Sequence, residues 1–133
     1  MTWDLTPRTI RGKKIQLEPL QQEMFEPLCD CLLNDPGGWF SRMYEFSSPE
    51  AIKKMIEGWT KANQDRRAMS FVARDLSSNK IVGISQFMRI EEKNRQLEIG
   101  GTMVGLQFRR TYVNTEMKYL MLKDAFERLN AVR

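Results

Sequence analysis

No histidine occurs in the chain, so Ser-His and Cys-His nucleophilic pairs, histidine-bound metals and an imidazole general base are excluded. Any chemistry must use carboxylates, tyrosines, backbone dipoles or a cofactor. Cys29 and Cys31 stand two apart in a helical stretch and point different ways, and no second cysteine pair completes a zinc site. They are expected to be reduced and structural. One region suits an anion. Residues 105–113 lead from a strand-like segment into a helical one. The first amides of a helix have no acceptor within it, so their N–H groups and the helix dipole stabilise an anion. Arg109 and Arg110 add charge there. An ordinary capped helix with an exposed arginine pair, Asn114 serving as cap, would leave the same trace. Gly100-Gly101 interrupts an alternating strand, where glycines mark either a bulge or a tight packing contact.

These residues need elements to position them. Residues 1–11 lack clear periodicity and fit a lead-in strand or arm, whereas 12–18 alternate as a first strand, with Ile15 and Leu17 on one face. Residues 20–33 place Met24, Phe25, Leu28, Leu32 and Leu33 at helical spacing, Pro27 kinking the helix or starting it afresh. The Asp-Pro-Gly-Gly run in 34–38 predicts a loop, and Trp39, Phe40, Tyr44 and Phe46 form the densest aromatic cluster, read as core. A second helix, ending near residue 64, is signalled by Ser47 and Ser48 as caps, Pro49 in the first turn and Glu50 closing a capping box. Ile52, Met55, Ile56 and Trp59 line its apolar face. Residues 69–76, 80–90 and 95–104 then alternate with period two between short polar connections, which predicts an antiparallel three-strand meander. A last helix over 114–129 stacks Met117, Met121 and Ala125 beside Leu122, Phe126 and Leu129, with Lys118, Lys123 and Arg128 outward. The plan is α+β, a mixed α/β sheet in one domain over residues 1–133.

Five segments carry a resemblance: Phe71-Val-Ala-Arg-Asp, Ile81-Val-Gly-Ile, Leu97-Glu-Ile-Gly-Gly-Thr-Met-Val, Arg109-Arg-Thr-Tyr-Val-Asn-Thr-Glu and Ala125-Phe-Glu-Arg-Leu. In order and spacing they resemble a GNAT-superfamily acetyltransferase over residues 10–133. Val113-Asn114-Thr115-Glu116 and Ala125-Phe126 are similar to the branch that acetylates ribosomal-protein N-termini. The resemblance implies the GNAT acyl-CoA N-acyltransferase fold, acetyl-CoA as co-substrate and a primary amine as acceptor. A protein N-terminus, an aminoglycoside, a polyamine and a small metabolite all remain open as acceptors. Acetyl-CoA contacts are implied at Thr102, Met103, Val104, Arg109, Arg110, Thr111, Tyr112, Val113, Asn114 and Thr115.

A bulge at Gly100-Gly101 would turn amides toward the thioester carbonyl. Glu98, on the strand face shared with Gly100, Thr102 and Val104, is the candidate base for the amine proton; an exposed glutamate paired with a neighbouring cation is the alternative. Arg109 matches the first place of the family's phosphate-loop pattern, but Tyr112 stands where glycine is expected and Asn114 where glycine or alanine is. The resemblance also implies an incomplete fold: a parallel strand would follow helix 114–129, and residues 131–133 would only begin it.

Composition bounds the rest. A net charge of +4, with acids and bases interspersed, gives no dedicated nucleic-acid surface. No apolar run suits a membrane span or a secretory signal, and a cytoplasmic protein is expected. An uncovered edge on strand 95–104, or the apolar face of helix 114–129, predicts a homodimer. A non-enzymatic interaction module built from an acetyltransferase remnant is the alternative function.

Overall fold

The period-two stretches form a five-stranded sheet in the computed structural model, which describes residues 3–6, 8–33 and 48–132. The strands are β1 (Ile10–Arg11), β2 (Ile15–Pro19), β3 (Met69–Asp75), β4 (Ile81–Glu91) and β5 (Gln96–Val104). They lie across the sheet in chain order, and every described pairing is antiparallel. The expected meander over 69–104 is met to within a residue at each end, and β2 and β1 extend it. The loop expected over 34–38 and the aromatic cluster at Trp39, Phe40, Tyr44 and Phe46 lie outside the described residues.

Helix α1 (Phe25–Leu32) follows a tight turn over Gln22–Met24. Pro27 is its third residue, where a missing N–H costs no intrahelical bond, so the proline sits in a fresh start. Helix α2 (Pro49–Gln64) is capped by Ser48, whose Oγ accepts from the Ala51 amide at 3.3 Å. With Ser48 as the cap, Glu50 falls one residue short of the position a capping box requires. It remains an acid in the first turn, favourable to the helix dipole.

Helix α3 (Tyr112–Lys123) starts two residues before the expected 114. Thr111, not Asn114, is its cap, with Oγ1 accepting from the Val113 amide at 3.4 Å. It runs into a wider π-helical turn over Asp124–Arg128, in which the Leu129 amide reaches back to the Asp124 carbonyl. Part of the expected apolar stripe is overturned. Leu129 is brought round to the buried face with Met117, Met121 and Ala125, whereas Leu122 and Phe126 stay 45% and 51% exposed. Arg128, expected outward, folds back onto the buried Asp124, Nε donating at 2.8 Å and Nη2 at 3.1 Å. Arg8 pairs with the same carboxylate, and Arg128 Nη1 donates to the Asp4 carbonyl at 2.7 Å. The arm that precedes β1 is thereby tied to the end of α3.

The sheet separates two cores. On one face α1 and α2 bury Leu28, Leu32, Ile52 and Ile56 against Val72, Ile84 and Met103. On the other, α3 buries Val113, Met117 and Met121 against Ile15, Leu17, Phe71 and Phe87, the two phenylalanine rings meeting edge to face at 5.9 Å. Each such side chain contributes about 1.5–3 kcal/mol of burial, so the two-sided sheet is what fixes the height of β5 between the helices.

Candidate active site

The site begins with an irregularity in β5. Gln86 pairs with Gly100 and Ile84 with Met103, so Ser85 alone faces both Gly101 and Thr102. The extra residue is a β-bulge. Gly101 has φ of +63°, a left-handed conformation that side chains resist, and a Cβ there would lie 2.7 Å from the ring of Trp59 on α2. Glycine is thus required both by the backbone and by the indole packed over it. Of the two openings left by the sequence, the bulge and the close contact both apply.

The bulge also reverses which side chains share a face. Glu98 and Gly100 look with Met103 toward α1 and α2, whereas Thr102 and Val104 look toward α3. The expectation that Glu98 shares a face with Thr102 and Val104 is therefore corrected, because it counted no inserted residue. Thr102 Oγ1 lies 2.7 Å from the buried Ser85 hydroxyl, and Met103 and Val104 are both buried. What these three can offer a ligand is backbone along the outer edge of β5, which among the described residues belongs to no further strand.

Glu98 is exposed opposite Met88, and its Oε2 lies 3.3 Å from Nε of Arg89. Exposed pairs of this kind contribute about 0–1 kcal/mol and leave the carboxylate free to exchange partners. Met88 and Arg89, the strand partner and ion-pair partner of Glu98, line a cleft of about 430 Å³ together with Trp59, Ala68 and Gln86, and Glu98 itself is not in its lining. Trp59 entered the sequence reading only as an apolar helix residue; nothing local indicates that it lies on Gly101.

Beyond β5 the Gly105 amide donates to the Val82 carbonyl at 2.8 Å, and a tight turn over Leu106–Phe108 follows. Arg109 turns back, its Nε donating to the Val104 carbonyl at 3.3 Å, while Arg110 is exposed in a left-handed conformation at φ of +61°. Thr111 Oγ1 donates to the Phe108 carbonyl at 2.6 Å, locking the turn to the helix it caps. Val113 is buried; Asn114 and Thr115 are exposed. The candidate residues 109–115 are thus gathered around one helix start, with 102–104 leading into it. Glu98 stands apart, six residues before Val104, or about 20 Å at strand spacing.

Tyr112 carries the strongest polar contact of the loop. Its hydroxyl donates to Asp75 Oδ1 at 2.6 Å, and Lys14 Nζ lies 4.8 Å from the centre of its ring. The Tyr112 bond, opposed by burial and aided by the Ser78 hydroxyl and amide, holds the Asp75 carboxyl below its ordinary range. The same bond, with burial and the nearby Asp75 and Glu116 charges, raises the Tyr112 phenol. Cys31 lines a second cleft of about 430 Å³ beside Gly105, and burial pushes its thiol up to about 12, which leaves it inert at neutral pH. Among the described residues no cluster of cysteine and carboxylate groups could hold a metal ion.

A sequence profile of the acetyltransferase (GNAT) domain matches residues 14–133, and the chain belongs to that family. Solved structures agree. A GCN5-related N-acetyltransferase from Brucella melitensis is 26% identical, with a TM-score of 0.76 over 93% of this chain and 57% of its own. The acetyltransferase of Salmonella typhimurium that modifies the N-terminal serine of 50S subunit protein L7/L12 shares the fold at a TM-score of 0.78 and 18% identity, over 95% of this chain and 72% of its own. So does the microcin C7 self-immunity acetyltransferase MccE, solved with acetyl-CoA and AMP, at 0.72 and 18%, over 92% and 67%. The chain therefore spans between 57% and 72% of the length of these three proteins. No curated protein sequence matches it.

Proposed function

We propose that the chain forms the acetyl-CoA side of an N-acetyltransferase that moves an acetyl group onto a primary amine. The observation that carries this is the Gly101 bulge in β5, set immediately before a loop that delivers first-turn helix amides. Bulge amides stabilise the oxygen charge that develops as the thioester carbonyl is attacked. The amides of Tyr112 and Asn114, with Arg110, hold the pyrophosphate beside the Thr111-capped Val113 amide. Bound acetyl-CoA supplies the acetyl group as a thioester. The amine nitrogen forms the new bond to the carbonyl carbon, the C–S bond breaks, and the amine proton passes to Glu98 directly or through water while the thiolate leaves to be protonated as CoA. Neither Tyr112, whose hydroxyl is committed to Asp75, nor Tyr119, on the outer face of α3, is suited to donate that last proton.

The likeness in fold to the L7/L12-modifying enzyme supports the ribosomal-protein branch and a protein N-terminus as acceptor. A cytoplasmic setting is consistent with that branch; no described helix is long and apolar enough to cross a membrane. The test is calorimetry with acetyl-CoA joined to an acetylation assay on Glu98→Gln. Binding should persist in the variant while turnover falls about 100-fold, the usual scale for a lost general base. Unchanged turnover would leave Glu98 as a surface partner of Arg89, and absence of acetyl-CoA binding would remove the enzymatic reading. A dimerising, non-enzymatic module is the second reading, favoured by the exposed Tyr119, Leu122 and Phe126 along α3.

A further inference from the structure

A tyrosine at the start of a helix that holds an anion poses a steric problem. The family's loop pattern avoids it with glycine, whereas here the side chain at Tyr112 has to go somewhere. Its hydroxyl reaches Asp75 at the end of β3, and its ring lies under Lys14 at the entry to β2. Both strands are on the inner side of the sheet relative to β5, which forms one border of the strand order. The ring therefore points away from the outer edge of β5, and the amides of the first turn stay clear of it.

Both anchors are themselves fixed. Asp75 is buried; its Oδ2 accepts from the Ser78 amide at 3.0 Å and hydroxyl at 2.7 Å, and its own amide donates to the Lys80 carbonyl at 2.8 Å. The Lys14 amide donates to the Glu116 carboxylate at 3.0 and 3.2 Å, and the Ile15 amide to the same group at 2.9 Å. Glu116 belongs to α3, so the helix grips the β1–β2 turn that in turn roofs its first residue. A charge-assisted hydrogen bond and a cation over an aromatic face converge on one ring.

We propose that Tyr112 is a positioning residue: held by Asp75 and Lys14, it fixes the first turn of α3 with the Tyr112 and Asn114 amides open to the pyrophosphate of acetyl-CoA. This rests on the acetyl-CoA reading above. The test compares acetyl-CoA affinity by calorimetry, well below the melting temperature, in the unaltered protein, Tyr112→Phe, Asp75→Asn and Leu28→Ala. Tyr112→Phe loses the bond and should weaken binding about threefold to tenfold, the range of one hydrogen bond. Asp75→Asn keeps an acceptor for the phenol and should lose less. Leu28→Ala, in the core on the other face of the sheet, should lower the melting temperature and leave affinity unchanged. Equal affinity in Tyr112→Phe, or an equal loss in Leu28→Ala, would overturn the proposal while leaving the acetyl-CoA site intact. Absence of binding in the unaltered protein would overturn both together.

Discussion

A single hydrogen bond between Tyr112 and Asp75 makes a prediction that pH can read. The folded Asp75 carboxyl lies below its ordinary 3.8, so its contribution is present above about pH 4 and is lost as pH falls through the folded value. The folded Tyr112 phenol lies above its ordinary 10.0, so its contribution is present below about pH 10 and is lost as pH rises through the folded value. The difference in melting temperature between the unaltered protein and Tyr112→Phe should therefore be flat from about pH 5 to 9 and close at both ends. A difference that stays constant below pH 4 would show that Asp75 is not the partner that matters. This pair was illegible in the sequence, where a tyrosine at a glycine position reads as an obstruction. Its partner is 37 residues away, at the end of another element.

Elements were far more legible than contacts. Strands β3 to β5 follow from period-two alternation between polar turns, and α2 from a serine, a proline and an apolar stripe, all local signals. Ser48→Ala should accordingly cost about 1 kcal/mol, lowering the melting temperature by several degrees in thermal unfolding without changing acetyl-CoA affinity; an unchanged melting temperature would mean that the cap is idle. What failed is whatever depends on one inserted residue. Gly100-Gly101 left a bulge and a packing contact both open, and the reversal of faces that the bulge brings, with the true neighbours of Glu98, has no trace in the alternation. The π-helical turn at Asp124–Arg128 had no local signal at all, since it goes with a carboxylate that Arg8 and Arg128 share in the buried end of the helix. Leu122, in the regular helix before that turn, and Phe126 within it are both exposed.

For the whole molecule, these exposed side chains bear on assembly. Tyr119, Leu122 and Phe126 are 59%, 45% and 51% exposed on one side of α3, and a second copy of the chain is the occupant expected to cover them. A stable contact needs about 800 Å² per partner, more than one short helix face supplies, so neighbouring surface must join it. Light scattering at micromolar concentration should give twice the monomer mass, and Leu122→Lys should shift it to the monomer. A monomer in the unaltered protein would dispose of the dimer without touching the acetyl-CoA site.

The clamp on Asp124 has a consequence for how the chain is made. Each strand of the sheet lies beside the one synthesised before it, so the sheet can be assembled as it leaves the ribosome. Trp3 and Leu5 cannot follow that order. They are made before the sheet, but they are buried in the cluster that Ala125 and Leu129 complete, and Asp124 must exist before Arg8 and Arg128 can close over it. At roughly 5–20 residues per second, the arm waits on the order of ten seconds with its indole in water. During translation, then, Trp3 and Leu5 stay uncovered until the turn over Asp124–Arg128 has been made, whatever the state of the sheet.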